Sequence, residues 1–326
     1  MSANPAIVVE SLMAYWRSDA LVAAIDLGVF TAVGDRSRTV RQIAASCRLD
    51  ASALTPLCDY LVGEKLLAVR ANRYRLTATA RRFLDERSPA ALTTITTFFN
   101  GRVLRRCFAA LPRTVRNGRP ALGAAMRRRL WVEFARSALP LRKLDAAATV
   151  RDLLRLGAVR GRILDVGAGA SPLGLELLRR APSTSLVVQD RRGVVTVAME
   201  QARRAGLADR VAAFAGSIER RSATGPFDLA LLINVLDYVQ PSARERVLRN
   251  VRAALRPGGA IVLRTPMLGG SHAGHREAVD YNLLVLALTG AGAVTAGELS
   301  RLLHRVGFAT PRRSARSSLM LARVPR

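Results

Sequence analysis

One stretch near the middle of the chain, residues 163–174, limits the possible fold more than any other. It reads ILDVGAGASPLG. The pattern predicts a buried strand over Ile163–Val166, a tight turn at Gly167 and Gly169, and a helix over Leu173–Arg180. A strand, a glycine turn and a helix in this order hold a ligand at the carboxyl end of a parallel strand, beside backbone N–H groups.

A carboxylate closes the next predicted strand. Asp190 follows the glycines by about 20 residues, the separation at which an acid can bind ribose hydroxyls in a dinucleotide-type fold. The loop departs from a dinucleotide fingerprint because Pro172 takes the place of the third glycine. Asp165, directly before the turn, would repel a pyrophosphate but suits a ligand that carries an ammonium and a sulfonium. The residues therefore favour S-adenosylmethionine.

Composition narrows the class of protein. The chain has 326 residues, half of them hydrophobic, so we expect a globular protein with two domains. The net charge of +27 would fit a nucleic-acid or membrane-surface partner. The basic residues are nearly all scattered arginines, with only Lys65 and Lys143 as lysines, and this favours a compositional origin. We therefore expect no nucleic-acid partner.

The cysteines and the apolar runs argue against a metal-binding, disulfide-stabilised or membrane protein. Cys47, Cys58 and Cys107 lack metal-ligand spacing, and their odd number argues against a disulfide framework, so no metal site is expected. No signal peptide is visible at the start, and the longest apolar run, Leu283–Val294, is too short to span a bilayer. These features predict a cytoplasmic protein without a membrane partner.

The first part of the chain carries a helical pattern. Helices are predicted over residues 7–33 with a break at Gly28, then over residues 39–47 and 50–64. Two short β-like segments, residues 66–69 and 74–76, follow as a hairpin, and another helix starts at Thr77. Three helices and a hairpin are typical of a winged-helix domain.

The rest alternates strands with helices. Residues 93–156 are helical in pattern with a break near residues 117–120, and they would line a pocket. Strands are predicted over residues 163–166, 186–189, 211–215, 229–233, 260–264 and 318–323. The alternation indicates a doubly wound, mostly parallel sheet, hence an α/β fold. We expect a helical domain with linker helices over residues 1–105 and a cofactor-binding domain over residues 106–326.

The order of several short motifs adds a family resemblance that covers almost the whole chain. They include DLGVF at residues 26–30, YRLT at 74–77, LDVGAG at 164–169, NVL at 234–236 and LRPGG at 255–259. The chain resembles the S-adenosylmethionine-dependent O-methyltransferases of the caffeic acid and acetylserotonin type. This implies a Rossmann-like class I methyltransferase domain after a winged-helix-like domain that pairs two protomers into a homodimer.

The resemblance also implies roles for individual residues. Asp165, Gly167 and Gly169 would contact the methionine part of the cofactor, and Asp190 would bind the ribose. Gly216, Ser217 and Ile218 would lie at the adenine, and Asn234 would face the reaction centre. The resemblance further implies that the methyl group is transferred to an oxygen of a small, aromatic secondary metabolite.

One departure from the family affects the chemistry. The family's catalytic histidine falls on Asp237, and the glutamate that partners it falls near Ala293. Asp237 could act as the base if burial raises its pKa, because an ordinary carboxylate is too weak a base for a phenol of pKa ~10. Alternatively, an acceptor that is already ionised needs no base, or the fold catalyses a non-methylating reaction such as hydroxylation, decarboxylation or cyclisation.

Two further hypotheses use other residues. His272 and His275 could supply a substitute base or two metal ligands, although a solvated loop is the simpler interpretation. A DNA-binding regulator would need a basic recognition helix, and the candidate at residues 51–64 contains no arginine or lysine. Trp131, Phe134, Phe98 and Phe99 could line a substrate pocket or simply belong to the core.

Overall fold

The computed structural model describes residues 4–264, 272–314 and 319–326. The chain divides into two compact units, Met1–Arg102 and Val103–Arg326. The domain limits expected from the sequence, 1–105 and 106–326, stay a prediction. Ser318, the expected start of the last strand, lies outside the described residues. None of the helices in the described ranges has the length and apolar character needed to cross a membrane.

The first unit is helical with one small sheet. Its elements are α1 (Ala6–Asp26), α2 (Val29–Val33), α3 (Val40–Cys47), α4 (Ala51–Gly63), β1 (Leu67–Arg70), β2 (Arg73–Leu76), α5 (Ala78–Phe83) and α6 (Ile95–Phe99). The residues next to the helix ends determine where α3 and α4 begin. Thr39 forms a capping box with Gln42 at the start of α3, and the Asp50 side chain accepts from the Ala53 N–H at the start of α4.

The small sheet is the expected hairpin. β1 and β2 pair antiparallel, and the two residues between them, Ala71 and Asn72, both adopt positive φ, as a tight hairpin turn requires. Beneath it lies a core that includes Phe30, Ile43 and Leu61. The winged-helix pattern predicted for this part of the chain is confirmed.

The second unit is built around a seven-stranded sheet. Its strands are β3 (Arg162–Val166), β4 (Ser185–Asp190), β5 (Val211–Ala215), β6 (Phe227–Ile233), β7 (Leu255–Arg264), β8 (Arg312–Arg313) and β9 (Leu319–Arg323). Its helices are α7 (Arg102–Ala109), α8 (Leu111–Asn117), α9 (Ala124–Ser137), α10 (Leu139–Arg155), α11 (Pro172–Arg180), α12 (Arg192–Arg204), α13 (Pro241–Ala254), α14 (His272–Thr289) and α15 (Ala296–Arg305).

The strand order places the ligand-binding edge. It is β5-β4-β3-β6-β7-β9-β8, with parallel pairs from β5 to β7 and antiparallel pairs at β9. From β3 the chain proceeds outward to β4 and β5, then returns to β6 on the other side of β3. Ligands of such sheets bind at the carboxyl ends of the strands where the order reverses, here β3 and β6.

Helices cover both faces of this sheet. One buried cluster contains Leu164 and Val166 of β3 together with α13 and α15, and the other contains Ile163 together with α10, α11 and α12. Because side chains alternate along a strand, Asp165 points to the same face as Ile163, toward α10 and α11. The doubly wound fold predicted from the sequence is confirmed, with the short β8 as an additional strand.

Candidate functional site

The glycine turn after β3 has the backbone conformation that its sequence predicts. Gly167 and Gly169 adopt φ of +66° and +57°, the left-handed region that L side chains avoid. A Cβ at Gly167 would lie 2.7 Å from Val235 Cγ2, whereas a Cβ at Gly169 would meet no atom within 4 Å. The first glycine therefore permits close packing, and the second leaves free space in front of the turn.

A glycine that the sequence analysis did not use completes the motif. Gly174 lies in the first turn of α11, where a Cβ would be 2.5 Å from Ser171 Oγ and 2.8 Å from Leu186 Cδ2. It lets the helix pack closely against β4, the role that the third glycine has in dinucleotide-binding folds. The motif is therefore not truncated at Pro172, and its last glycine is two residues farther on.

Asp190, at the end of β4, is held by backbone groups. Its carboxylate accepts from the N–H of Gly169 at 3.0 Å and from the N–H of Arg191 at 2.7 Å. Burial raises the pKa of Asp190, while these two hydrogen bonds oppose the rise. The glycine turn and the acid are thereby fixed in one arrangement, and the free lone pairs of the carboxylate remain available to ligand hydroxyls.

Asp165, at the end of β3, is more deeply buried, with 5% of its surface exposed. Its carboxylate accepts from Ser171 Oγ at 2.6 Å. Burial raises the pKa of Asp165 to about 7; the Ser171 hydrogen bond lowers it, and the nearby Asp190 raises it further. A carboxylate desolvated in this way favours a cationic ligand, because a nearby positive charge stabilises its ionised form.

Two clefts open beside these residues. The space between their walls, together with the open solvent at their mouths, is about 730 Å³ in the first and about 700 Å³ in the second. Of the predicted cofactor-binding residues, the first cleft contains Gly167, Gly169, Asp190, Gly216, Ser217, Ile218 and Asn234, and the second contains Asp165, Gly167, Gly169 and Asn234. The structure thus brings all eight predicted cofactor-binding residues to adjoining clefts that share the glycine turn.

The loop after β5 is held under the first cleft by a residue that sequence reasoning missed. Gln189 has no exposed surface; its Nε2 donates to the Arg221 carbonyl at 2.7 Å, and its Oε1 accepts from the Ala223 N–H at 3.0 Å. The loop that carries Ser217 is therefore tied to β4 next to Asp190. A polar residue in an otherwise apolar strand was the signal that could have identified it.

Asn234 follows β6 and stands opposite the glycine turn. It adopts φ of +55°, and its N–H donates to the Arg264 carbonyl at 2.7 Å. The surrounding groups orient its amide so that the oxygen accepts from Arg142 Nη1 and the nitrogen donates to the Arg264 carbonyl at 3.3 Å. Asn234 therefore links the two clefts.

Aromatic side chains form a wall of the first cleft. The Trp131 ring centroid lies 4.9 Å from that of Tyr238 and 6.0 Å from that of Phe134, both edge to face. The Tyr238 ring also meets that of Tyr281 of α14 edge to face, with the centroids 5.9 Å apart. Trp131 and Phe134 were predicted as possible pocket residues and do line a cleft, whereas Phe98 is buried within the first unit.

Asp237, the predicted catalytic residue, has a different environment. It lies in a single 3₁₀ turn, Leu236–Tyr238, has no exposed surface, and its Oδ1 accepts from the Val294 N–H at 2.9 Å. Among the described residues that line the two clefts Asp237 does not occur, so the structure does not bring it together with the cofactor-binding residues. Its catalytic role stays a prediction.

The location of this hydrogen bond is informative. The family resemblance placed the partner of the catalytic histidine near Ala293, and Asp237 contacts the backbone of the very next residue. The two positions are neighbours as the resemblance implied, but the Asp237 carboxylate meets a backbone N–H there. The side chains of His272 and His275 lie outside the described part of the chain.

These features define the class of protein. The fold is a doubly wound sheet with a glycine turn at the point where the strand order reverses and two buried acids beside that turn, which is the architecture of a class I methyltransferase. Residues 142–309 match the O-methyltransferase domain family, and residues 9–86 match the O-methyltransferase dimerisation domain. The chain belongs to the S-adenosylmethionine-dependent O-methyltransferases.

Known proteins resemble the chain along almost its whole length. Acetylserotonin O-methyltransferase of Gallus gallus is 27% identical, with 93% of this chain and 92% of that protein covered. The 3-hydroxy-5-methyl-1-naphthoate 3-O-methyltransferase of Streptomyces sahachiroi is 26% identical, with 93% and 89% covered. The crystal structure of a putative O-methyltransferase from Nostoc punctiforme PCC 73102 has a TM-score of 0.90 at 26% identity and covers 99% of this chain and 100% of that one.

Proposed function

We propose that this enzyme transfers a methyl group from S-adenosylmethionine to an oxygen of a small aromatic secondary metabolite. The observation that carries the proposal is the pair of acids at the ends of adjacent strands, Asp165 and Asp190, on either side of the glycine turn. The wall of Trp131, Phe134 and Tyr238 supports an aromatic acceptor, because rings pack favourably edge to face. The two relatives above are named for acetylserotonin and a hydroxynaphthoate, which are both aromatic.

Each cofactor-binding residue has a proposed role. Asp190 would accept hydrogen bonds from the ribose hydroxyls, and Asp165 would attract the cationic end of the cofactor. Gly167 and Gly169 leave room for the ligand next to the backbone, and Gly216, Ser217 and Ile218 would contact the adenine. Asn234, between the clefts, would lie near the reactive centre. The bound cofactor supplies an electrophilic methyl group, and the protein aligns the acceptor and excludes water.

Methylation of a hydroxyl group requires that the proton of this hydroxyl is removed. Because the Asp237 carboxylate is buried and bonded to backbone, we favour an acceptor that loses its proton to water before methyl transfer, as an acidic phenol does. Asp237 would then act as a positioning residue that joins the turn at Tyr238 to the segment at Val294. A general-base role for Asp237 remains the alternative within this proposal.

The same proposal includes a homodimer formed by the first unit. Helix α1 exposes Leu12 at 71%, Val8 at 61% and Trp16 at 48% of their surfaces, an apolar face that a second copy would cover. We expect Leu12→Glu to shift the protein toward monomer in analytical ultracentrifugation. Val115→Glu is the control, since Val115 is 65% exposed but lies outside the dimerisation match. A cytoplasmic location and the lack of a nucleic-acid partner stay predictions.

The test of the reaction is a product balance. Incubation with S-adenosylmethionine and a panel of hydroxylated naphthalenes and indoles should form S-adenosylhomocysteine and O-methylated product in equal amounts. Conversion of an acceptor without S-adenosylhomocysteine would instead favour the non-methylating alternative. Failure of the folded protein to bind S-adenosylhomocysteine in calorimetry would refute the cofactor assignment.

A further inference from the structure

Two tyrosines lie beside the residue that replaces the family's catalytic histidine. Tyr238 follows Asp237 in the turn after β6 and lines the first cleft together with Gly167 and Asn234. Its ring meets that of Tyr281 of α14 edge to face, with the centroids 5.9 Å apart. A site without the histidine therefore contains a pair of phenol groups whose hydroxyls have no role in binding the cofactor.

The Tyr281 hydroxyl is the unusual member of this pair. Its oxygen is buried, and it has no hydrogen-bond partner among the described residues. A buried hydroxyl without a partner costs free energy, so such a group commonly serves an ordered water or a ligand. The Tyr238 ring packs on Trp131 in the wall of the cleft, and Tyr281 packs behind it. The phenol pair thus extends from the cleft wall into the protein.

Burial is the largest influence on the acidity of both phenols. It raises the pKa of Tyr238, and it raises the pKa of Tyr281 well above its usual value. Of the charged groups around them, Asp237 adds to the rise in pKa and Arg142 of α10 opposes it. Tyr281 lowers the pKa of Tyr238 whereas Tyr238 raises that of Tyr281, and these opposite effects are those of a donor and its acceptor. Tyr281 can therefore donate toward the Tyr238 oxygen and leave the Tyr238 O–H for another group.

The raised pKa values limit what these groups can do. Both phenols retain their protons at neutral pH, so neither can take a proton from an acceptor. A neutral phenol can instead donate to an oxygen that already carries a negative charge, and a hydrogen bond of this kind is stronger than one between neutral groups. It also favours the ionised form of the group that accepts it.

We propose that Tyr238 donates a hydrogen bond to the ionised oxygen of the acceptor, and that Tyr281 positions the Tyr238 hydroxyl for this contact. The inference rests on the proposed function, since it concerns the same methyl transfer. The acceptor loses its proton to water, and Tyr238 keeps its own. The acceptor oxygen then forms a bond to the methyl carbon while the bond from this carbon to sulfur breaks and leaves a thioether. The site thus makes the acceptor more acidic where the family uses a base.

The first test measures the ionisation of a bound acceptor. A hydroxynaphthalene that the wild-type protein methylates is titrated in its complex with the protein and S-adenosylhomocysteine, and the absorbance of the ionised form gives the pKa of the bound hydroxyl. This pKa should lie below that of the free compound. Tyr238→Phe keeps the ring but removes the donor, so we expect the bound pKa to rise by about one unit, a tenfold change in the ionisation constant. Tyr281→Phe should raise it by less.

The second test is the pH dependence of kcat at saturating S-adenosylmethionine. Turnover should increase with pH through the pKa of the bound acceptor. Tyr238→Phe should be about tenfold slower than wild type below this pKa and nearly equal to wild type well above it, where the acceptor ionises without help. A purely structural defect would lower kcat by the same factor at every pH. Tyr60→Phe, at a tyrosine of the first unit with 36% of its surface exposed, is the control and should follow wild type.

Melting temperatures and S-adenosylhomocysteine affinities, which should be unchanged, report whether the variants fold. An unchanged bound pKa in folded Tyr238→Phe would overturn the inference, as would a loss of kcat that is independent of pH. If Tyr238→Phe does not fold, a wild-type protein that leaves the acceptor pKa at its value in water would overturn it equally. Wild-type protein that binds S-adenosylhomocysteine but methylates no acceptor would refute the proposed function itself, and this inference with it.

Discussion

The edge of the sheet at β3 and β4 and the turn after β6 each present buried aspartates, and their surroundings differ. At the edge, Asp165 and Asp190 line clefts; Asp165 accepts from Ser171 Oγ, and Asp190 accepts from the backbone N–H groups of Gly169 and Arg191. In the turn, Asp237 bonds to the backbone of Val294, 57 residues away. Burial of an acid therefore does not by itself indicate chemistry: Asp165 and Asp190 line open clefts that can hold a ligand, whereas Asp237 is not among the described residues that line these clefts and joins two segments of the chain.

The largest effect should come from Asp190. Asp190→Ala removes the acceptor that we propose for both ribose hydroxyls and the one observed for the Gly169 N–H, so we expect S-adenosylhomocysteine affinity to fall by about 100-fold or more. Titration calorimetry measures the loss. Asp209→Ala, at an exposed acid of the same unit, is the control. A loss of threefold or less would remove Asp190 from the cofactor site.

Substitution of Asp237 should lower the stability of the protein and leave its affinity for the cofactor product unchanged. Asp237→Ala leaves the buried Val294 N–H without its acceptor, and we expect the free energy of unfolding to decrease by about 2 kcal/mol with S-adenosylhomocysteine affinity unchanged. Asp237→Asn retains an acceptor oxygen and should lose less. Denaturant unfolding measures both variants. Abolished methyl transfer in Asp237→Asn at normal stability would restore the general-base interpretation.

The smallest effect concerns pH. The Asp165 pKa is raised to about 7 in the empty protein, so below that pH the acid is protonated and its attraction for a cationic ligand is lost. We expect S-adenosylhomocysteine to bind roughly tenfold more weakly at pH 6 than at pH 8. Asp165→Asn should bind weakly at both values. Dissociation constants measured across this range check the prediction, and a flat profile for wild type would contradict it.

The parts of the site that follow from the backbone could be predicted from sequence. Gly167, Gly169 and Asp190 are determined by where parallel strands end, and a local pattern is enough to find them. The contacts that depend on distant segments could not: nothing near Asp237 indicates Val294, and nothing near Arg142 indicates Asn234. Gly174 could have been found locally, because it is a glycine close to the turn. The dinucleotide fingerprint, however, places its third glycine two residues earlier, at Pro172.

The proposed cofactor-binding residues and the aromatic wall belong to different kinds of secondary structure. The proposed cofactor-binding residues lie at strand ends and in the glycine turn, where substitutions disturb the sheet. Helices carry most of the aromatic wall, with Trp131 and Phe134 on α9, while Tyr238 lies in the turn after β6 and contacts Tyr281 of α14. Evolution can therefore exchange the acceptor by altering helix surfaces while inheriting the methyl donor unchanged, and diversification of such enzymes should be read in α9 and α14.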